Sequence, residues 1–139
     1  MFRKIVFANE GSPAGVRALL YVEHLALAEG AEVVVLHAFE VPERYNTSDA
    51  YEELQQVFEK AAWSVVDDAL AELERAGVLA RGLVRQAPAA RTILEVADEE
   101  NASLIVLGTR GPSSAKELLL GSVSSEVLRF ARCPVMAVP

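Results

Sequence analysis

The most constraining stretch of this chain is Leu104-Ile-Val-Leu-Gly-Thr-Arg-Gly111, separated by nine residues from Gly121-Ser122-Val123-Ser124-Ser125. Residues 104–107 are a continuous apolar run, the signature of a parallel strand covered on both faces. Gly108 and Gly111 then let the backbone turn tightly and approach something closely. Gly121-Ser122 opens a helix expected over residues 123–131, with Ser122 as its N-cap. A helix start presents unpaired N–H groups and the positive end of a dipole, which is where anions bind. Two glycine turns and a serine-rich helix start beyond one strand end suit a phosphate chain.

The rest of the sequence alternates strand and helix. Residues 5–8 form a short apolar strand, turned by Asn9-Glu10-Gly11. Ser12-Pro13 has the cap-then-proline form of a helix start. Val16, Leu19, Leu20, Leu25 and Leu27 are read as the buried positions of this helix, which Gly30 closes. Residues 33–36 are a second strand, ending at His37-Ala38-Phe39, and residues 40–47 are a loop. Ser48 or Asp49 is expected to cap a long helix ending near Gly77. Leu54, Val57, Ala61, Val65, Ala69 and Leu73 are expected on its inner face. Residues 79–85 read as a more polar third strand at a sheet edge. Pro88 opens a helix with Ile93, Leu94, Val96 and Ala97 turned inward, and residues 134–138 are a fifth strand.

This alternation predicts an α/β fold, an open five-stranded parallel sheet with right-handed crossovers and helices on both faces, Rossmann-like in plan. Ligands in such sheets sit beyond the strand C-termini where the strand order reverses. With the first and fourth strands as neighbours the order is 3-2-1-4-5. The crevice then falls between the turn at residues 9–12 and the loop at residues 108–124.

Totals narrow the function. With 139 residues the chain is expected to form one domain, residues 1–139, large enough for a real core. A net charge of −7 argues against non-specific binding to nucleic acid or anionic membranes. The single cysteine, Cys133, leaves no internal disulfide and points to a reduced, cytoplasmic setting. No apolar run is long enough to span a membrane, and because Met1-Phe2-Arg3-Lys4 leads straight into a strand no signal peptide is expected.

Chemistry is harder to find. His24 and His37 have no partner at metal-ligand spacing, so packing or surface roles are expected and no metal site is read. The serines at 113, 114, 122, 124 and 125 have no nearby histidine, and the nucleophile-elbow pattern is absent. The loop also lacks the Gly-Lys-Ser/Thr of a Walker P-loop. No catalytic residue is assigned, and binding outranks catalysis.

Gly108-Thr109-Arg110-Gly111, nine residues, then Gly121-Ser122 resembles the glycine motif of the nucleotide-binding branch of the universal stress protein family. The likeness extends over essentially the whole chain, including the Leu36-His37 strand end and Cys133-Pro134-Val135. It implies the adenine nucleotide alpha hydrolase-like version of the fold and ATP as ligand, with Mg2+ as its counter-ion. By the same resemblance Gly108, Thr109, Arg110, Gly111, Gly121 and Ser122 surround the triphosphate, and Val123 and Ser124 contribute at the helix start. Ala38 lies beside the adenine with its backbone. Glu10 stands where the family usually has aspartate and reaches the ribose hydroxyls, with Asn9 before it where a small or apolar residue is usual. Ala87, before Pro88, replaces a common glycine but is expected farther from the pocket.

The function implied is an ATP-binding regulatory module of the stress response. The alternatives are a slow ATPase or phosphotransferase, or a protein-interaction member that binds no nucleotide, which Asn9 and Glu10 favour. A homodimer through the apolar strand Val135–Val138 is also implied, since an exposed sheet edge is normally covered or paired.

Overall fold

The computed structural model describes residues 1–46, 49–109 and 120–139. Five strands form one sheet: β1 (Lys4–Ala8), β2 (Glu32–Phe39), β3 (Ala80–Gln86), β4 (Leu104–Gly108) and β5 (Val135–Val138). Four helices connect them: α1 (Pro13–Glu29), α2 (Tyr51–Arg75), α3 (Ala89–Glu99) and α4 (Ser122–Phe130). Every strand pairing is parallel, and the order is β3-β2-β1-β4-β5, as expected from the sequence.

Side chains alternate across the sheet as the two-residue strand period requires. Ile5, Phe7, Val33, Val35, Leu104 and Val106 face one layer, packed on α1 and α2. Val6, Val34, Leu36, Ile105 and Leu107 face the other, packed on α3 and α4. The central strands are buried on both faces, which is why they read as unbroken apolar runs.

The inner face of α3 is as expected, with Ile93, Val96 and Ala97 buried and Leu94 packed against the core, whereas α1 and α2 correct part of theirs. On α1 the buried residues are Ala14, Gly15, Ala18, Val22 and Ala26, while Val16, Leu20 and Leu27 are exposed. The cause is close approach to the sheet. A Cβ built on Gly108 would stand 2.7 Å from the backbone carbon of Ala14 and 2.8 Å from the Gly15 nitrogen. Only small residues fit under that contact, so Val16 and Leu20 are turned outward, while Leu19 and Leu25 pack half-buried against the core as expected. On α2 the buried positions are Ala62, Val66, Ala69 and Leu73, with Ala61 and Val57 exposed.

Helix ends differ from expectation in two places. The N-cap of α4 is Gly121, in extended conformation, and Ser122 is the first helical residue. The N-cap of α2 is Ala50, with no side-chain cap bond, so Asp49 does not serve; Ser48 lies outside the described residues. The start of α1 is as read: Ser12 caps it by accepting the Gly15 N–H at 3.1 Å, and Gly30 closes it in the left-handed region.

Candidate functional site

Register places the site. Ala8 of β1 is level with Leu36 of β2 and Leu107 of β4, so β1 and β4 end within a residue of each other where the strand order reverses, while β2 runs on to Phe39. Beyond them lies a crevice of about 550 Å³, within the size of small-molecule sites. Its walls come from the β1–α1 turn, the end of β2, the start of α3, Gly108 and the start of α4.

One wall is built for an anion. The first helical hydrogen bond of α4 runs from Ser125 N to Gly121 O, so the amides of Ser122, Val123 and Ser124 precede it. All three residues line the crevice, and Ser124 is buried at 3% exposure. Their N–H groups carry the positive end of the α4 dipole. Gly108 also lines the crevice, and its missing side chain admits α1 behind it.

The opposite side is apolar and small. Leu36, Ala38, Ala89 and Ile93 line it, two from β2 and two from α3. Leu36 and Ile93 belong to the core shared with α3 and α4. The end of β2 is steadied from the side: Phe39 meets Phe58 edge-on at 6.4 Å, and Gln86 Nε2 donates to Tyr51 Oη at 3.1 Å. The second contact ties the end of β3 to the start of α2.

Between the two lies the turn after β1. Among the described lining residues Glu10 carries the one full charge. Its Oε1 accepts the Ser12 hydroxyl at 3.1 Å. Asn9 is 9% exposed, and its amide is spent inside the protein. Asn9 Oδ1 accepts the Gly11 N–H at 3.0 Å and Nδ2 donates to Val65 O at 3.5 Å. Gly11 holds φ +82°, the left-handed conformation that lets the chain double back onto Asn9.

Most residues singled out in the sequence converge here. Asn9, Glu10, Ala38, Gly108, Gly121, Ser122, Val123 and Ser124 all line the one crevice. Thr109 stands outside the lining; its amide donates to Val138 O at 2.7 Å, closing β4 onto β5. Arg110 and Gly111 lie outside the described residues. His37 was read as a packing or surface residue, yet it lines the crevice and its Nδ1 lies 2.6 Å from Asn9 O. Ala87, expected farther from the pocket, is not among the lining residues, whereas Ala89 and Ile93 of α3, given no site role in the sequence, form the apolar wall. The sequence signal for it was available: Pro88 starts a helix whose inner face must return across β2.

Comparison with known proteins fits this geometry. The model of the universal stress protein family matches residues 1–139. The chain belongs to the universal stress protein family. A universal stress protein of Thermus aquaticus is 37% identical over 139 residues, covering 99% of each chain. Universal stress protein YxiE of Bacillus subtilis is 32% identical over 152 aligned positions, again 99% of each. The solved structure of MJ0577, a universal stress protein of Methanocaldococcus jannaschii, superposes with a TM-score of 0.88 at 26% identity, over 99% of this chain and 96% of that one. Two more distant universal stress protein structures are complexes, one with cAMP and one, from Archaeoglobus fulgidus, with dAMP; they share the fold at 22% and 20% identity, with TM-scores of 0.76 and 0.70.

Proposed function

We propose that this universal stress protein binds an adenine nucleotide, ATP with its Mg2+, in the crevice between the β1–α1 turn and the start of α4. It acts as a regulatory module of the stress response. One observation carries the reading. The motif residues Gly108, Gly121, Ser122, Val123 and Ser124 meet a small apolar wall and an acidic turn in a single crevice at the switch point of the sheet. That order of surfaces suits phosphates, base and ribose hydroxyls respectively. The complexes of family members with cAMP and dAMP support the ligand class.

Mg2+ would be held chiefly by the phosphates. Among the described residues no group of three His, Cys, Asp or Glu side chains is placed to hold a metal. Binding rather than turnover is proposed, because Glu10 already gives one carboxylate oxygen to Ser12 and is the one acidic residue of the described lining. The same proposal has the protein working in the cytoplasm as a homodimer through β5.

The test is nucleotide content after purification without added ligand, then calorimetric titration with Mg-ATP, on the wild-type chain and on Gly121→Leu. Gly121 has φ −67° and ψ 165°, extended backbone open to any residue, so the substitution should keep the fold and fill the crevice. Loss of the binding heat with an unchanged melting temperature is the expected result. Equal affinity in the variant would sink the reading.

A further inference from the structure

We infer that His37 and Asn9 are positioning residues that hold the turn carrying Glu10 in its ligand-ready place, so that Glu10 can read the sugar hydroxyls of a nucleotide. The inference rests on the nucleotide reading above and says which of this chain's own groups make that contact selective.

Asn9 is fixed through all its polar groups. Its N–H donates to Leu36 O at 2.9 Å, and its carbonyl lies 2.6 Å from His37 Nδ1. Its side chain accepts from Gly11 N and donates to Val65 O, which ties the turn to α2. A carbonyl oxygen only accepts, so Nδ1 must carry the hydrogen. The contact therefore sets the ring in its Nδ1–H tautomer, and β2 grips the turn with a side chain as well as with its backbone. Glu10 follows directly, and its carboxylate is held on the far side by the Ser12 hydroxyl, itself fixed as the cap of α1.

The arrangement answers a physical difficulty. A glutamate has one more rotatable bond than the aspartate usual at this turn, so it loses more freedom when it is ordered on a ligand. Anchoring the residue before it and tethering its carboxylate removes much of that freedom in advance, and preorganisation of this kind raises affinity. Asn9 then is not a departure that weakens the site. It is the member of the turn that joins β2, α2 and Gly11 around Glu10.

The test compares wild type, His37→Leu and His37→Asn. Leucine removes the donor, whereas the asparagine amide can place one near the position of Nδ1. Calorimetry gives the affinity ratio for ATP over 2′,3′-dideoxy-ATP, which lacks the hydroxyls Glu10 would accept. Long-range proton–nitrogen spectra of the ligand-free protein report the His37 tautomer, and hydrogen exchange reports the Gly11 amide. The expected wild-type result is the Nδ1–H tautomer and a preference for ATP of roughly tenfold, the scale of one hydrogen bond to a charged group. His37→Leu should bring the ratio close to one and speed exchange at Gly11. His37→Asn should restore most of the preference. Should His37→Leu not fold, His37→Gln, whose amide sits one carbon farther out, carries the same expectation.

An Nε2–H tautomer, equal wild-type affinity for the two nucleotides, or a folded His37→Leu that keeps the preference would each overturn the inference. Absence of any nucleotide binding by the wild type defeats the nucleotide reading separately. The clasp is then judged on the free protein, where unchanged Gly11 exchange in His37→Leu overturns it and faster exchange upholds it as the anchor of the turn.

Discussion

Single atoms decide much of this site. The hydrogen on Gly108 in place of a Cβ lets α1 lie against the sheet end. Alanine there would meet backbone atoms of Ala14 and Gly15 at 2.7 and 2.8 Å, and backbone cannot swing aside. Gly108→Ala should cost roughly 1–3 kcal/mol, the scale of overpacking, and lower the melting temperature. Its effect on nucleotide binding would follow from the displaced wall. Cys133 is a second residue whose chemistry its surroundings set. Burial, and then the negative charge of Asp98, hold its thiol above the ordinary value. The thiolate is the reactive form, so a raised value means less of it at neutral pH. Alkylation of the folded protein near pH 7 should be much slower than of the unfolded chain, and should accelerate as the pH is taken through the alkaline range. Fast labelling at neutral pH would contradict this.

At the scale of elements, the strands and the inner face of α3 were legible in the sequence, and the faces of α1 and α2 only in part, for two separable reasons. Runs such as Ile5-Val6-Phe7 and Leu104 to Leu107 announce themselves because both faces of the sheet are covered, so neither face needs polar residues. The inner face of α1 was read in part, at Leu19 and Leu25, and missed elsewhere because volume, not hydrophobicity, governs the contact: Ala14, Gly15 and Ala18 lie closest, and Val16 and Leu20 are surplus. The inner face of α2 was misread geometrically. Steps of four residues each overrun a 3.6-residue turn by about 40°, so tracing back from Leu73 through Ala69, Val65 and Ala61 to Val57 drifts roughly 160° around the helix. The face found takes one step of three, from Ala69 to Val66. The crevice was legible where glycine and serine mark it, at Gly108 and Gly121–Ser124. It was less legible at Ala89 and Ile93, where Pro88 and the inward face place a helix across β2 without saying which strand end it stands over, and at His37, a lone histidine. Capping offers a direct test at this scale. Ser12 both caps α1 and holds the Glu10 carboxylate. Ser12→Ala should cost about 1 kcal/mol of stability from the lost cap, measurable by denaturant unfolding, and should also weaken ATP more than dideoxy-ATP. A stability loss with no change in that preference would show the tether to Glu10 to be idle.

For the whole molecule, the open side of the sheet is the issue. β3 ends one side, and its Arg81 and Arg85 are paired with Glu100 and Glu99 of the α3 end. β5 ends the other side with Val135, Met136, Ala137 and Val138, none of them charged. The hydrogen bonds to β4 run from Ile105 N to Pro134 O and from Thr109 N to Val138 O. Backbone groups alternate along a strand, so those of residues 134, 136 and 138 face β4, and those of Val135 and Ala137 face outward. Such an edge is a template for another strand, and a two-fold copy would meet it with the same two residues. Ala137→Pro is the sharp probe. Proline removes only an outward N–H and is tolerated on an edge strand, so no bond to β4 is lost. Sedimentation at micromolar concentration should find a dimer for the wild type and a folded monomer for Ala137→Pro. A wild-type monomer would leave the β5 edge to some other partner, and a dimer that survives the proline would place the two-fold interface elsewhere on the molecule.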